Sequence, residues 1–399
     1  MGLAKQRMIE LEQRHLSGFP DKSVCVKHFE DNTIKNFIRK NYDLGFCDYC
    51  NKELKVVSLE TLMEFIMDGV ATFYGDAVEF MGYNGREGGY LGETFTPDEL
   101  IQDKVGLVTE PYEVTEDIVS CIEDIAWSQP DMYHDTVRDE LMSLWDYFKN
   151  LIKHKARYLF SSTGISDIDD PNNAFKILSE VGRISKKFHL VQKIAKGTKL
   201  YRCRQHPASR KINTIEELVS PPAEAAIYPN RFSPSGISML YVALDEATAA
   251  LETISRTDKK KNTITISTLV TKKDLYVIDF NKLPKMPSIF EKKSRTIHYL
   301  TGFLFDLVRD FTKDISKDGK EHIEYVPTQV VTEYFRYPFN KNRKNKIEGI
   351  IYPSSKNEKK SAAVIFWDNE ECLQHLKLEK VQRKKISLIV TPTTQKPIF

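Results

Sequence analysis

Two short cysteine and histidine pairs near the start of the chain constrain its fold more than any other feature. Cys25 and His28 are separated by two residues, as are Cys47 and Cys50. Zinc prefers four nitrogen or sulfur ligands in a tetrahedron, and each pair would supply two ligands from one side. The 18 residues between the pairs include a predicted helix that would bring the second pair back to the first. The sequence therefore predicts a structural zinc site with no open position for water.

A redox role is the alternative for the second pair, because a Cys-x-x-Cys motif also occurs in thiol oxidoreductases. Such motifs are typical of a βαβ setting, and no βαβ pattern surrounds Cys47. Cys25 and His28 would then be unrelated to the motif. We adopt the zinc interpretation because it accounts for all four residues.

Length and charge narrow the class of protein. A chain of 399 residues is too long for one ordinary hydrophobic core, so we expect two or three domains. Its 58 basic and 56 acidic residues give a net charge of +2, which provides no electrostatic argument for nucleic acid or an acidic membrane. The first residues lack the apolar core of a signal peptide, and no apolar run is long enough for a membrane span. Six cysteines are too few for a disulfide scaffold of this length, so we expect a cytoplasmic protein.

The sequence pattern changes at about residue 190. After the Cys/His module at residues 1–57, residues 58–190 show mainly helical spacing, with a long helix predicted at about 136–160. Residues 191–399 carry short β-branched and aromatic runs, together with one predicted helix at about 295–313. This half reads as a mixed α/β domain. Its predicted strands are KLYRCR, MLYVAL, TITISTLV, DLYVIDF, GIIYPSS, AAVIFWD and ISLIV.

Four polar or aromatic residues lie at strand ends or loops of this second half, where sites are usually built. Arg202 is within LYRCR, Tyr241 ends SMLY, Glu252 closes DEATAALE, and Ser354 follows GIIYP. Taken singly, each has an ordinary explanation: a salt-bridge partner, a core tyrosine, a surface glutamate and a turn serine. Only their joint occurrence favours a site.

The blocks around these residues resemble the RES-domain family of bacterial proteins. LYRCRQ, PNRFSPSGISMLYVALDEATAALET, EYVPTQVVTEYFR and EGIIYPSS are similar to that family's blocks and follow the same order. The cysteine-bearing start resembles its HEPN/RES-type N-terminal region. On this match the family's Arg is Arg202, its Glu is Glu252 and its Ser is Ser354, with Tyr241 as the associated aromatic. Ser355 is the alternative for the serine.

The resemblance implies an α+β multidomain protein: a zinc-stapled, mainly helical HEPN-like N-terminal region followed by an ADP-ribosyltransferase-like RES domain. It also implies an attack on NAD, which known members deplete as toxins by phosphorolysis or hydrolysis. Glu252 would stabilise a ribose that becomes oxocarbenium-like as nicotinamide leaves. Arg202 would hold the diphosphate, Tyr241 would contact nicotinamide or ribose, and Ser354 would bind phosphate or position the nucleophile. The expected substrate-binding residues are Arg231, Ser233, Ser355 and Gln329.

Three other functions stay open from the sequence. ADP-ribose could be transferred to a macromolecule instead of to water or phosphate, or the chain could be a non-catalytic binding module for protein or nucleic acid. Arg183 and His189 match the R-x4-6-H spacing of catalytic HEPN RNases, although so short a pattern arises easily by chance. Because an unrestrained NAD-degrading enzyme would kill its host, the N-terminal region is a candidate sensor that holds the enzyme inactive, and an antitoxin or regulatory protein is a candidate partner. Self-association is also open.

Overall fold

The computed structural model describes residues 3–129, 136–158, 171–255, 260–315 and 319–386. It divides into two compact units. One comprises Met1–Glu140 with Lys285–Gly302, and the other comprises Leu141–Pro284 with Phe303–Phe399. The domain boundaries expected at residues 57 and 190 stay predictions.

The first unit combines short strands with helices. Its strands are β1 (Ser23–Cys25), β2 (Asp43–Cys47), β3 (Lys52–Ser58), β4 (Gly75–Asp76), β5 (Tyr83–Asn84), β6 (Gly89–Tyr90) and β7 (Trp127–Ser128). Its helices are α1 (Leu3–Glu12), α2 (Asn32–Lys40), α3 (Leu59–Val70), α4 (Ala77–Phe80), α5 (Pro97–Glu99) and α6 (Glu113–Ser120). Helices α7 (Val137–Asn150) and α11 (Arg295–Thr312) have residues in both units.

Helix α2 forms where the sequence predicted it, between the two Cys/His pairs. Asp31 caps it by accepting hydrogen bonds from the backbone N–H groups of Thr33 and Ile34, which have no partner inside the helix. Ile34 and Ile38 are fully buried, as their spacing of four residues predicts for one apolar face. A three-stranded antiparallel sheet in the order β1-β3-β2 accompanies this helix. That sheet was not predicted from the sequence.

The second unit is built on an eight-stranded sheet in the order β15-β11-β9-β10-β14-β13-β12-β8. Neighbouring strands are antiparallel except for the parallel pair β12–β13. The strands are β8 (Val191–Ile194), β9 (Lys199–His206), β10 (Leu240–Ala243), β11 (Thr263–Thr271), β12 (Leu275–Asp279), β13 (Ile347–Pro353), β14 (Ser361–Ile365) and β15 (Leu376–Lys385). The helices are α8 (Pro171–Lys187), α9 (Ile215–Leu218), α10 (Glu246–Thr253), α12 (Glu321–Glu324), α13 (Val326–Arg336) and α14 (Asn369–His375).

Helix α10 matters most for the site, because it presents Glu252. Asp245 caps its start by accepting a 2.8 Å hydrogen bond from the Thr248 backbone N–H. Ala249 and Ala250 are buried where the helix packs against β9, and their small side chains allow a close approach. Glu252 lies in the last turn and remains exposed.

The helices in the described part of the chain are too short or too polar to cross a membrane.

Candidate functional site

Three of the four predicted catalytic residues line one cavity of the second unit. The cavity has a volume of about 950 Å³, and its lining includes Arg202, Tyr241 and Glu252. Arg202 comes from β9, Tyr241 from the neighbouring strand β10, and Glu252 from the helix that follows β10. The volume is at the upper end of the range of small-molecule sites, roughly 300–1,000 Å³. One extended ligand could therefore contact all three side chains.

Arg202 is held against the neighbouring strand. Its Nη1 donates a 2.7 Å hydrogen bond to the backbone carbonyl of Tyr241. Burial, and then the positive charge of Arg204, lower the pKa of Arg202 to about 9. Among the described residues, the buried Nε atoms of Arg202 and Arg204 have no hydrogen-bond partner. Two desolvated guanidinium groups that line one cavity favour an anion beside them.

Arg204 was missed by the sequence analysis, although a signal for it was present. It follows Arg202 by two residues on β9, and side chains two apart on a strand lie on the same face. Its Nη2 donates a 2.5 Å hydrogen bond to the Val219 carbonyl, and burial lowers the pKa of its guanidinium. Arg204 lines the same cavity as Arg202. The two-residue spacing of Arg202 and Arg204 in LYRCRQ therefore places two cations, and not one, in the lining of the cavity.

Tyr241 connects the sheet to the loop that precedes β10. Its hydroxyl accepts a 3.1 Å hydrogen bond from the Phe232 backbone N–H and lies 3.0 Å from the Ser233 hydroxyl. Burial raises the pKa of Tyr241 to about 12, so the phenol stays protonated near neutral pH. Ser233 is buried and lines the same cavity. Both residues thus combine a structural contact with a position facing the cavity.

The carboxylate of Glu252 is fixed by Ser354, which follows β13. The Ser354 hydroxyl donates to Glu252 Oε1 and accepts from the backbone N–H groups of Lys356 and Asn357 at 3.2 and 3.1 Å. Asn357 also donates a 2.8 Å hydrogen bond to Thr248 Oγ1. Thr248 and Glu252 are four residues apart and therefore lie on one face of α10. The loop after β13 thus contacts one face of the helix at two points.

This arrangement predicts that Ser354→Ala lowers turnover without unfolding the protein. A hydrogen bond to a charged group contributes about 1.5–3 kcal/mol, so losing it should reduce kcat by roughly ten- to a hundredfold. KM should change less, because Ser354 lies behind the carboxylate. Ser361→Ala is the matched control, since Ser361 pairs with Pro353 at the other end of the same loop and does not line the cavity. Equal kcat losses in both variants would remove the positioning role of Ser354.

The other predicted substrate-binding residues have different surroundings. Arg231 donates 2.6 and 2.7 Å hydrogen bonds to the carbonyls of Phe311 and Lys313, at the C-terminal end of α11. Gln329 is buried and donates to the carbonyls of Asn230 and Ser233 at 2.8 and 3.3 Å, and it does not line the cavity. These contacts position the loop at 230–233. The substrate contacts predicted for both residues stay predictions.

A second cavity of about 830 Å³ shares Glu252 with the first. Tyr241, Tyr352 and Asn230 also line both cavities, and Ser355 lines the second. Tyr352 was not among the residues predicted from the sequence, and its ring centroid lies 4.6 Å from that of Phe232. Burial, and then the charge of Glu252, raise the pKa of Tyr352 well above its usual value. Glu252 therefore lies where two cavities of the same unit meet.

The first unit contains the predicted metal-ligand cluster. The ligand atoms of Cys25, His28, Cys47 and Cys50 all lie within 4.8 Å of one another. The Cys25 and Cys50 sulfurs are 3.9 Å apart, and the Cys47 sulfur is 3.3 Å from His28 Nε2. Ligand atoms on a tetrahedral zinc are separated by roughly 3.3–3.8 Å, given Zn–S and Zn–N bonds of about 2.3 and 2.0 Å. These four residues could hold a metal ion.

The surroundings of the cluster fit that role. His28 Nδ1 lies 2.5 Å from the carbonyl oxygen of Glu110, so Nδ1 carries the proton and Nε2 is free to act as a ligand. Burial would raise the pKa of the Cys47 thiol, but the backbone N–H groups of Tyr49 and Cys50 lower it to about 7. Among the described residues, all six cysteines are free of disulfides. The four ligand atoms therefore lie close enough to share a metal ion and are not linked by a disulfide.

Arg183 and His189 show no sign of a second site. Arg183 is exposed and pairs with Glu180 at 2.6 Å, one turn before it on α8. His189 is exposed just beyond the end of that helix, with a positive φ of 54°. Neither residue lines either of the two cavities described above. The spacing between Arg183 and His189 therefore reflects the last turn of α8 and the residues that follow it.

Comparison with protein-family models gives two matches. Residues 40–166 match HEPN/RES N-terminal domain 1, and residues 199–387 match the RES domain. The first match includes Cys47 and Cys50. The second match includes the cavity residues Arg202, Tyr241 and Glu252, together with Ser354. No curated protein matches the chain. Together the two family matches cover more than half of the chain, in the order that the sequence blocks indicated. The chain therefore contains a RES domain, with a HEPN/RES-type N-terminal domain ahead of it.

Proposed function

We propose that this protein consumes NAD by cleaving the bond between nicotinamide and ribose. The observation that carries the proposal is the shared cavity, which has two desolvated guanidinium groups and the Glu252 carboxylate in its lining. NAD has the matching chemistry: an anionic diphosphate, and a ribose carbon that becomes positive during cleavage. The RES family match supports NAD as the substrate at the level of the family. We further propose that the domain is ADP-ribosyltransferase-like.

The arginine pair is suited to the diphosphate. Arg202 and Arg204 each keep a buried Nε donor without a partner in the described structure. A diphosphate in the cavity would place anionic oxygens beside both guanidinium groups and offset the repulsion between the two cations. A guanidinium binds such oxygens in a fixed planar geometry, which would also fix the direction of the ligand. The dinucleotide would then be anchored on β9 with its reactive ribose toward α10.

Glu252 would act where positive charge develops. As the bond breaks, its electron pair moves to the pyridinium nitrogen, and nicotinamide leaves as a neutral molecule. The leaving group needs no proton, so no general acid is required. The ribose carbon becomes oxocarbenium-like, and a fixed carboxylate nearby stabilises it more than it stabilises bound NAD. Ser354 would keep the carboxylate in place, because its own hydroxyl is held by two backbone N–H groups.

Tyr241 would line the reacting end of the ligand as a neutral phenol. Its hydroxyl is already anchored by Phe232 and Ser233, so the ring is held in place before any ligand binds. An aromatic face can pack against nicotinamide, and a protonated hydroxyl can donate to the ribose. This preorganisation lowers the entropy that the protein loses on binding.

The nucleophile decides the product. Attack by water gives ADP-ribose, nicotinamide and one proton, which is the glycohydrolase reaction. Attack by phosphate gives nicotinamide and ADP-ribose 1″-phosphate, the phosphorylase reaction. In both reactions a new carbon–oxygen bond replaces the carbon–nitrogen bond. Transfer to a macromolecule would differ only in the acceptor that reaches the same carbon.

A product analysis tests the proposal. Purified protein is incubated with NAD in ¹⁸O-labelled water, with and without phosphate, and the products are followed by mass spectrometry. We expect nicotinamide together with either ¹⁸O-labelled ADP-ribose or ADP-ribose phosphate. ADP-ribose attached to protein or nucleic acid would identify a transferase instead. Intact NAD under all of these conditions would overturn the proposed activity.

In the first unit we propose a structural zinc held by Cys25, His28, Cys47 and Cys50. Four protein ligands leave no position for a substrate, so zinc would stabilise the fold rather than take part in the chemistry.

We also propose that the protein acts as a toxin or an anti-phage defence effector, since NAD loss arrests growth. An antitoxin or other regulatory partner would then restrain it.

A further inference from the structure

One exposed tyrosine at the mouth of the site has no role in the account above. Tyr228 is 75% exposed, yet it lines both cavities that meet at Glu252. Among the described residues, its ring has no aromatic or cationic partner. Ile227 beside it is 62% exposed. An aromatic ring held in water at the rim of a polar cavity is a candidate binding surface for a flat apolar group.

The backbone holds Tyr228 in place from both sides. Before it, the Ala226 carbonyl accepts a 2.7 Å hydrogen bond from the Gly236 N–H. After it, Asn230 and Ser233 exchange backbone hydrogen bonds of 2.8 and 3.3 Å. Gln329 donates to the Asn230 carbonyl from the buried side. The ring is therefore presented by an anchored loop, so binding to it costs little ordering of the chain.

The adenine is the end of the dinucleotide that we assign to this ring. The reacting ribose must lie at Glu252, close to the buried Ser233 and the anchored Tyr241. The diphosphate belongs with the arginine pair of β9. The adenine takes no part in bond cleavage and is the end free to extend toward the rim. There, stacking on an aromatic side chain is worth about 1–3 kcal/mol per base.

We propose that Tyr228 is the adenine-stacking subsite of the cavity and selects substrates that carry a base beyond the diphosphate. This inference rests on the proposed function, because it takes NAD to be the ligand. It adds a residue and a specificity that the family match does not assign. It also explains why an exposed aromatic side chain is placed on an anchored loop at the mouth of the cavity.

The test compares two ligands by calorimetry on the full chain. ADP-ribose carries the adenine, whereas nicotinamide mononucleotide lacks it. Tyr228→Ala should raise the Kd for ADP-ribose by roughly five- to a hundredfold and leave the Kd for nicotinamide mononucleotide within twofold. Tyr228→Phe and Tyr228→Trp should retain ADP-ribose binding, because both keep a ring. Ile227→Ala, on the same loop, and Tyr158→Ala, an exposed tyrosine outside both cavities, are the controls.

The outcomes separate this inference from the proposed activity. Equal losses for both ligands, or no loss for ADP-ribose, would overturn the stacking role. A loss in Ile227→Ala as large as that in Tyr228→Ala would assign the effect to the loop and also overturn it. If the wild-type chain binds ADP-ribose through Tyr228 but releases no nicotinamide from NAD, the subsite stands and the proposed activity fails. A wild-type chain that binds no ADP-ribose overturns the subsite outright.

Discussion

Replacing Glu252 by glutamine is expected to lower the rate of nicotinamide release from NAD by about a hundredfold or more, which corresponds to about 2.7 kcal/mol of barrier. Glutamine keeps the size of the side chain but removes the negative charge that stabilises the oxocarbenium-like ribose. NAD binding should change little, because the charge acts mainly in the transition state. The fold should survive, since Glu252 is exposed at the end of α10. The measurement is kcat and KM for nicotinamide release, with circular dichroism to check folding.

Glu246→Gln provides the matched control for this variant. Glu246 belongs to the same helix, but it contacts Gln382 at 2.7 Å and Lys384 at 3.7 Å and does not line the cavity. Turnover should remain within about twofold of the wild type in that variant. A Glu252→Gln protein that turns over at the wild-type rate would exclude Glu252 from the chemistry. A similar loss in both variants would indicate a general effect on α10.

The second large effect is expected from Cys47→Ser in the first unit. The variant should lose its bound metal, and the thermal transition of that unit should fall by about 10 °C or more. Structural zinc contributes about 10–16 kcal/mol of apparent binding free energy in zinc-finger peptides. Even a third of that free energy would lower the transition by about 10 °C in a unit of this size. Metal analysis and calorimetry of the purified protein measure both quantities.

Cys121→Ala is the matched control for the metal site. Cys121 is also a buried cysteine of the first unit, but it lies outside the cluster, and its thiol donates to the Asp117 carbonyl at 3.1 Å. That variant should keep one zinc per chain. A wild-type protein purified without chelators and free of metal would contradict the zinc proposal. So would a Cys47→Ser protein that keeps a full equivalent of zinc.

Elements with a strong local pattern could be predicted from the sequence. Helix α11 (Arg295–Thr312) lies within about one residue of the predicted 295–313, because its apolar side chains recur at helical spacing. Ser58 caps α3 by accepting a hydrogen bond from the Thr61 N–H, and serine just before an apolar helical run is a common capping pattern. The predicted runs from KLYRCR to AAVIFWD all contain strands of the large sheet. The long helix predicted to residue 160 ends at Asn150 and is followed by a π-helical turn to Lys155.

The last strand shows where local pattern fails. β15 (Leu376–Lys385) is an edge strand with six exposed residues, and its sequence LKLEKVQRKK is rich in lysine. Charged edge strands are common because they discourage pairing with other chains, but they lack the apolar alternation that predicts a strand. The strand predicted instead at ISLIV lies outside the described residues, apart from Ile386.

The details of the site depend on contacts between distant parts of the chain. Ser354 and Glu252 are separated by about a hundred residues, and only the resemblance to the RES family brought them together before the structure. The contact between Asn357 and Thr248 had no signal in the sequence at all. Arg204 could have been found from the two-residue period of its strand. Tyr352 could not have been found from the sequence, because its position near Glu252 depends on the order of the strands in the sheet.

The proposed reaction is cleavage of the nicotinamide–ribose bond of NAD, assisted by the negative charge of Glu252. Proton NMR of NAD incubated with the purified wild-type chain, and in parallel with the Glu252→Gln variant, tests it most directly. We expect free nicotinamide to appear in the wild-type sample at the rate at which NAD disappears, and about a hundredfold more slowly with the variant. NAD that stays intact with the wild-type chain, or equal rates in the two samples, would contradict it.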